Sequence, residues 1–251
     1  NSPLRGAYTG GQELGNDYVL VHSIKFDQEG NLWVLNSQAK GVNLLRLTKD
    51  KKWEKYYKSQ LENDKGIGER GLRNMFFDSR CLLCFINTYW TNPFISFYQP
   101  SSDEIVIYNS FVNQDGKKYN VTYVNCACED KEGNIWVGTN IGLFYLAKNE
   151  VGQEGAIFNQ VKVPRNDGSD YADYLLNGIN ISHISIDGGN RKWVSTTGSG
   201  VFLISADNLT QIHNFTKDNS KLISNNIYSS AIDHQTGRVY FLTDMGLCSY
   251  L

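Results

Sequence analysis

The sequence predicts an all-β protein, a β-propeller of about five four-stranded blade units that form either a small ring or an arc of a larger propeller. The first observation is the stretch VNCACEDKEGNIWVGTNIGLFYL at 124–146, which reads as two short strands joined by a tight turn and a third strand. Similar stretches begin near residues 21, 73, 181 and 227. The second observation is that apolar residues are nearly consecutive within a strand, as in IWV and VFLI. That pattern is typical of a sheet buried on both faces, and stacked blades supply such cover.

Each repeat has an aspartate at the end of its first strand, and successive aspartates are 51, 52, 57 and 46 residues apart. This spacing is near the period of four-stranded propeller blades, ~40–50 residues. An aspartate at that place accepts hydrogen bonds from the amides of its own turn, and a bulky packing residue follows shortly after it. The predicted structural residues are Asp27 with Trp33, Asp130 with Trp136, Asp187 with Trp193, and Asp233 with Tyr240. The second repeat has Asp78 but carries Cys84 in place of the aromatic residue.

We expect residues 1–251 to form a single propeller domain or propeller fragment, with blade units at about 18–60, 69–112, 119–164, 178–217 and 222–251. The fourth strands are the least regular and are predicted at Trp53–Tyr57, Ile105–Tyr108, Ile157–Val163 and Gln211–Phe215. The last repeat stops after its third strand, which leaves an apolar edge open. Residues 1–17 are predicted to be a linker or a closing strand, with residues 3–12 pairing with that edge unless a removed segment does so. A long connection contains a polar loop at 165–170, for which functional and disordered interpretations stand equal.

Composition excludes several classes of partner. The chain has 251 residues and a formal net charge of −2 without a basic cluster, which argues against nucleic acid. No apolar run reaches the ~18 residues that cross a bilayer, and no signal peptide opens the chain.

Of five cysteines, Cys84, Cys126 and Cys128 lie in strand-like runs and are interpreted as small buried residues. A zinc site and a disulfide are the alternatives, although Cys126 and Cys128 are one residue too close for the usual zinc knuckle.

The sequence contains no catalytic constellation with a usable spacing, so we expect no enzyme, no metal and no cofactor. His22 and His183 lie in first strands, where a packed or surface histidine is more common than a metal ligand or an acid–base residue. The repeated aspartates are better explained by turn formation than by general acid–base catalysis.

The remaining candidate is a ligand-binding face, because the corners between second and third strands all emerge on one side of a propeller. The corner NTYWTNP is the most distinctive, since Tyr89 and Trp90 place flat apolar rings beside amides. That combination suits sugar or peptide recognition, whereas the alternative for Trp90 is packing on the next blade. The predicted ligand-binding residues are Asn36, Asn87, Tyr89, Trp90, Asn140, Thr197 and Asp244.

Repeats one, three and four resemble the two-component-regulator propeller repeat, D-x-x-G-N-[IL]-W-[IV]-G-T followed by G-[LI], and EDKEGNIWVGTNIGL matches it almost completely. The last third, with NRKWVSTTGSGVFLIS and TGRVYFLTDMGLCSYL, is similar to the end of the propeller region in the PorZ family of Bacteroidetes. This resemblance implies a secreted, surface-attached protein of the type IX secretion machinery, whose propellers are non-enzymatic scaffolds that bind anionic lipopolysaccharide or sorting components. Ser195 and Leu242 depart from the repeat, which usually has glycine there, and Cys248 departs from the family's valine or methionine.

The function predicted is therefore a binding and assembly module in the periplasm or at the cell surface. Its expected partners are a polysaccharide, lipopolysaccharide or a secretion-system protein, with no nucleic acid and no transmembrane segment. Two alternatives stay open. The same repeats form the periplasmic sensor domain of hybrid two-component histidine kinases, and other propellers are lyases or glycoside hydrolases, which need histidines and carboxylates clustered at one funnel.

Overall fold

The computed structural model describes residues 2–15, 17–164 and 172–251, and nearly all of its regular structure is β. The polar loop at 165–170 lies outside the described residues. The chain divides into two compact units, Asn1–Asn109 and Ser110–Leu251. Within the described ranges the helical structure is limited to one 3-10 turn, Ser59–Leu61, and the all-β prediction is confirmed.

The first unit contains a hairpin and two four-stranded sheets in which strands adjacent in sequence pair antiparallel. The hairpin consists of β1 (Tyr8–Thr9) and β2 (Gln12–Glu13). Sheet one consists of β3 (Leu20–Phe26), β4 (Leu32–Ser37), β5 (Leu44–Leu47) and β6 (Trp53–Tyr56). Sheet two consists of β7 (Leu72–Phe77), β8 (Leu83–Asn87), β9 (Phe94–Gln99) and β10 (Glu104–Tyr108).

The second unit contains two short hairpins and three further sheets of the same antiparallel order. The first hairpin, β11 (Phe111–Val112) and β12 (Lys118–Tyr119), precedes sheet three, which consists of β13 (Val124–Glu129), β14 (Ile135–Thr139) and β15 (Gly142–Leu146). The second hairpin, β16 (Lys162–Pro164) and β17 (Ala172–Tyr174), precedes sheet four, which consists of β18 (Ile181–Ile186), β19 (Lys192–Thr196), β20 (Val201–Ile204) and β21 (Gln211–Phe215). Sheet five consists of β22 (Ile227–Ile232), β23 (Val239–Thr243) and β24 (Gly246–Tyr250).

A single carboxylate organises the turn between the first two strands of a sheet. In sheet one, Asp27 Oδ1 accepts hydrogen bonds from the amides of Glu29 (3.0 Å) and Asn31 (2.8 Å). The other oxygen, Asp27 Oδ2, accepts the indole N–H of Trp33 at 2.9 Å. The same indole bond measures 2.8 Å from Trp136 to Asp130 and 3.2 Å from Trp193 to Asp187. The aspartate therefore closes the turn and satisfies the polar atom of the buried ring together.

Each of these tryptophans packs on the following sheet of its unit. Trp33 contacts Phe77 and Tyr98 of sheet two, with ring centroids 6.3 and 5.7 Å away. Trp136 is buried in a cluster with residues of sheet four, including Ile184, Val194 and Phe202. Trp193 contacts Phe241 and Tyr250 of sheet five, at 5.9 and 5.6 Å. A large aromatic ring between sheets buries apolar area that neither sheet could hide alone.

Two repeats depart from this arrangement. Asp78 of sheet two bonds its own turn and the Arg80 side chain, since no tryptophan follows it. In sheet five Tyr240 pairs with Ala231, as Trp193 pairs with Ser185, and so occupies the tryptophan register. However, Tyr240 is 38% exposed, which differs from the predicted packing role. The physical reason is that, among the described residues of the second unit, no further sheet follows sheet five to cover that face.

One prediction about strand pairing is wrong. A fourth strand at Ile157–Val163 is absent from the described part of sheet three, where only an isolated bridge joins Asn159 to Tyr145. The chain is diverted because Phe158 packs on Phe111 with ring centroids 4.3 Å apart. Within the first unit, β1 and β2 form a hairpin that turns through Gly10 and Gly11, whose positive φ values suit a two-residue hairpin turn. The covering of the open edge of sheet five, by residues 3–12 or by a removed segment, stays a prediction.

The cysteines differ in burial: two are buried, Cys128 and Cys248 are half-buried, and Cys81 is exposed. Cys84 and Cys126 are buried, as predicted, and Cys84 Sγ lies 3.6 Å from the carbonyl oxygen of Leu82. Burial raises the pKa of Cys126 to about 12, which suppresses the thiolate that metals and oxidants need. Cys81, Cys126, Cys128 and Cys248 are free thiols, so the disulfide alternative is not supported for them.

The packing of Trp136 leads to a stability prediction with an internal control. Trp136→Ala should lower the free energy of unfolding by about 3–5 kcal/mol, because it leaves a cavity between sheets three and four. Tyr240→Ala, at the equivalent but exposed register of sheet five, should cost less than about 1 kcal/mol. Urea titration of both variants measures the difference. A loss below about 1 kcal/mol for Trp136→Ala would remove that ring from the core. A loss for Tyr240→Ala as large as that for Trp136→Ala would contradict the difference between the two sites.

The carboxylate of Asp27 leads to a prediction about acid. Burial raises the pKa of Asp27, but the hydrogen bonds from Asn31 and Trp33 outweigh it and bring the pKa below its usual range. A depressed folded-state pKa contributes stability above the unfolded-state value, ~3.9, that is lost as pH falls through the folded-state value. The urea midpoint of the wild type should therefore fall below about pH 4, and that of Asp27→Asn should fall less steeply. Parallel acid profiles for the two proteins would contradict this.

Candidate ligand-binding site

The predicted ligand-binding residues of the first unit separate into buried and exposed members. Asn36 is buried and exchanges two hydrogen bonds with the backbone of Arg5, at 2.8 and 3.1 Å. Asn87 is buried as well. Tyr89 is half-buried, and Trp90 is 58% exposed. The two amides thus support the corners, while the two rings present surface to solvent.

Asn87 uses its whole amide to hold the corner that follows β8. Its Oδ1 accepts the amides of Gly71 (3.0 Å) and Tyr89 (3.2 Å). Its Nδ2 donates to the carbonyl oxygen of Asn92 (2.7 Å) and to Oε2 of Glu69 (3.1 Å). Two of these four bonds reach Tyr89 and Asn92 inside the 88–92 corner and two reach Glu69 and Gly71 before β7, so one side chain ties the corner to the start of sheet two.

Glu69 is a buried carboxylate that reinforces the same corner. Its side chain is 5% exposed, and the Nδ2 atoms of Asn87 and Asn92 donate to its two oxygens at 3.1 and 2.8 Å. A buried carboxylate is tolerated where N–H groups solvate it in place of water. Glu69 therefore ties the start of sheet two to the tip of the aromatic corner.

The exposed part of the corner is an aromatic pair beside a cation. The rings of Tyr89 and Trp90 have centroids 6.0 Å apart and are tilted by 47°. The guanidinium of Arg70 lies 5.4 Å from the centroid of Tyr89, and its Nη1 donates to the tyrosine hydroxyl at 3.3 Å. This arrangement offers a flat apolar surface with hydrogen-bonding groups at its rim, which is the chemistry that binds sugar rings.

A groove of about 540 Å³ opens beside this pair, within the first unit. Tyr8 and Tyr89 both line it, together with Asp64, Glu69 and Asn92. It adjoins a recess of about 400 Å³ that is also lined by Tyr8 and Asp64. A cleft of this size with aromatic and polar lining falls in the range of small-ligand sites.

In the second unit the predicted residues support corners or gather around one asparagine. Asn140 Oδ1 accepts the amides of Thr122 and Tyr123, both at 3.0 Å, and so has a local structural role. Thr197 is exposed and forms an isolated bridge with Asn226. Asn226 Nδ2 also donates to Asp244 at 3.0 Å, and hydrogen bonds from Ser224 and Asn226 lower the pKa of Asp244. The structure thus brings Thr197 and Asp244 together.

Of the two strand histidines, His183 of sheet four contacts sheet five, whereas the exposed His22 contacts a neighbouring strand of its own sheet. His183 Nδ1 accepts the amide of Ser230 at 3.3 Å, and burial lowers the pKa of this imidazole. His22 Nδ1 lies 3.2 Å from Ser37 Oγ; burial, and then Arg73, lower its pKa. Nδ1 of each ring therefore contacts a neighbouring hydroxyl or amide group.

The described residues contain neither a cluster of metal ligands nor a membrane-spanning helix. In those ranges, no group of three or more histidine, cysteine, aspartate or glutamate side chains has the arrangement needed to hold a metal ion. The same ranges contain no helix of the length and hydropathy that crossing a bilayer requires.

The residues that sequence reasoning missed come from segments without repeat character. Tyr8 belongs to the N-terminal stretch, and Asp64 and Glu69 belong to the connection between sheets one and two. A weak signal existed only for Asn92, because it lies inside the distinctive NTYWTNP corner. The groove is made where these unrepeated segments meet the repeat.

Comparison with known proteins identifies the repeat and the fold. The model of the two component regulator propeller family matches residues 118–140, within the repeat singled out in the sequence. No curated protein matches the chain by sequence. Among solved structures, PorZ of Porphyromonas gingivalis, described as an essential bacterial surface component of its type-IX secretion system, aligns with 99% of this chain at 23% identity and a TM-score of 0.83.

Two more distant structures have the same type of fold. Virginiamycin B lyase from Staphylococcus aureus aligns with 92% of this chain and 69% of its own, at 13% identity and a TM-score of 0.58. The Dos1 propeller aligns with 95% of this chain and 68% of its own, at 13% identity and a TM-score of 0.53. The present chain spans about a third (33%) of the PorZ chain. The sequence prediction is confirmed: this is a β-propeller chain that carries the two-component-regulator propeller repeat and shares its fold with PorZ.

Proposed function

We propose that this chain is a non-enzymatic binding and assembly module of the periplasm or cell surface, and that it contacts its ligand through the aromatic corner formed by Tyr89 and Trp90. The observation that carries the proposal is the exposure of Trp90. Trp33, Trp136 and Trp193 are buried between sheets, whereas Trp90 is 58% exposed and its ring centroid lies 6.0 Å from that of Tyr89. An exposed tryptophan on a rigidly held corner is a common anchor for ligands.

The rigidity of the corner supports this function further. The four bonds of Asn87 and the carboxylate of Glu69 fix the backbone on which both rings stand. A ligand therefore meets rings that are already in place, and little ordering entropy is lost on binding. The ligand class we propose is a glycan or lipopolysaccharide, with a protein of a secretion system as the alternative partner.

We infer the location at the cell surface from the similarity to PorZ. That protein is described as a surface component of a type-IX secretion system, and the present chain matches only about a third of it. The fold similarity supports a binding scaffold, and the address and the secretion-system partner remain inferences from it.

A catalytic role is the weaker hypothesis. The similarity to virginiamycin B lyase is at 13% identity and concerns the fold. His22 and His183, the strand histidines, contact Ser37 and Ser230 instead of facing a carboxylate. A turnover assay on polysaccharides tests this point.

A sensor role is the second candidate, and the match to a family named for two-component regulators favours it. In a hybrid histidine kinase the propeller would pass ligand binding to a membrane helix and a kinase. The sequence that flanks these residues in the full gene distinguishes a sensor from a surface scaffold.

Substitution of the aromatic corner tests the proposed function. Trp90→Ala and Tyr89→Ala should each weaken binding to extracted lipopolysaccharide or to a glycan array by about 5–10-fold, because each removes a stacking surface worth ~1 kcal/mol. Tyr228→Ala, an exposed tyrosine of the second unit, is the matched control and should leave binding unchanged. If both corner variants bind as the wild type does, the corner is not the ligand site.

A further inference from the structure

The groove beside the aromatic corner has two tyrosine walls that are held separately. Tyr8 is fixed by its amide, which donates to the carbonyl oxygen of Gln38 at 2.8 Å, and by its hydroxyl, which donates to that of Gly11 at 2.6 Å. Tyr89 is fixed by Asn87 and Arg70. Two preset aromatic walls on one cleft favour a ligand with flat apolar faces.

The charge of the lining restricts the ligand. Three carboxylates, those of Glu62, Asp64 and Glu69, line the groove, against one guanidinium, that of Arg70. The adjoining recess adds Lys65, and the ammonium of Lys40 lies 6.0 Å from the centroid of the Tyr8 ring. Among the side chains that line the groove itself, a phosphate or carboxylate would meet more like charges than opposite ones, which costs affinity. The lining therefore disfavours the anionic groups of a lipopolysaccharide.

The polar groups are also a poor match for a strongly cationic ligand. The carboxylate of Glu69 already receives two amide N–H groups, and Glu62 receives the Gly41 amide at 2.9 Å and the Tyr57 hydroxyl at 3.0 Å. Arg70 at the rim repels another cation. What remains is a mixture of acceptors and amide donors, such as Gln38 and Asn92, and that mixture suits hydroxyl groups.

We infer that the Tyr8–Tyr89 groove of the first unit binds an uncharged stretch of a glycan. The inference rests on the proposed function and narrows it: the tyrosine walls stack on sugar rings, and the carboxylate of Asp64 with the amides of Gln38 and Asn92 bonds their hydroxyls. Charged parts of a larger glycan, including phosphorylated ones, lie outside this groove. Recognition here is driven by shape and hydrogen bonding, so it depends little on ionic strength.

The test measures binding of the full chain to a neutral polysaccharide panel (mannan, dextran and xyloglucan), to polygalacturonate and to poly-L-lysine. At least one neutral probe should bind, with an affinity that changes less than about twofold between about 50 and about 500 mM NaCl. Tyr8→Ala should lower that affinity at least about fivefold. Tyr8→Phe, which retains the ring, should keep most of the affinity. An equal loss of affinity in Tyr8→Phe would indicate that the hairpin is unfolded, not that the ring stacks on the ligand. Tyr228→Ala is the matched control.

The outcomes separate this inference from the proposed function. Binding of polygalacturonate or poly-L-lysine alone, with a steep loss in salt, overturns it. Loss of binding in Trp90→Ala combined with full binding in Tyr8→Ala also overturns it, and leaves the proposed function standing. If no saccharide in the panel and no lipopolysaccharide binds the wild type, both fall.

Discussion

The hydrogen bond from a tryptophan indole to an aspartate is the interaction on which this fold depends. An indole N–H that is buried without an acceptor costs free energy comparable to the gain from burying part of the ring. Asp27, Asp130 and Asp187 remove that cost with one oxygen and use the other to close the turn between two strands. A local turn and a contact between sheets are thereby set by the same side chain.

The repeats without a tryptophan show which role of the aspartate, closing the turn or accepting the indole N–H, is present in every repeat. Asp78 and Asp233 bond the amides of their own turns although no tryptophan follows either of them. The aspartate is thus present wherever the turn is, and the indole bond is added where a ring must be buried. Gly138 is a second point of close packing, because a Cβ there would lie 2.6 Å from the side chains of both Cys126 in its own sheet and Ile181 in sheet four. The repeat glycine is therefore explained by the close approach of these two side chains.

Repeat-level reasoning predicted the structure well where side chains act within one repeat. The fourth strand predicted at Gln211–Phe215 is β21, residue for residue. The strand predicted at Ile157–Val163 failed because Phe158 is drawn to Phe111, a contact between segments that no periodicity reports. Asn87, which the sequence predicts to bind a ligand, uses its amide to close a corner, since an amide in a corner sequence suits both roles. Tyr8 and Glu69 of the groove could not be predicted, because neither belongs to the repeated pattern.

The candidate site arises where the repeat is interrupted. In sheets three, four and five a threonine closes the corner after the second strand by donating to the carbonyl oxygen of a nearby glycine, at 2.8–2.9 Å. That short link holds a tight corner with no room for exposed rings. In sheet two Asn87 replaces the threonine, and its longer, two-headed side chain spans a larger corner and recruits Glu69 beneath it. The larger corner is what places Trp90 in solvent instead of between sheets. The exposed surface of Tyr89 and Trp90 thus accompanies this larger corner, while the Asp-closed turn and the stacking of the sheets are left unchanged.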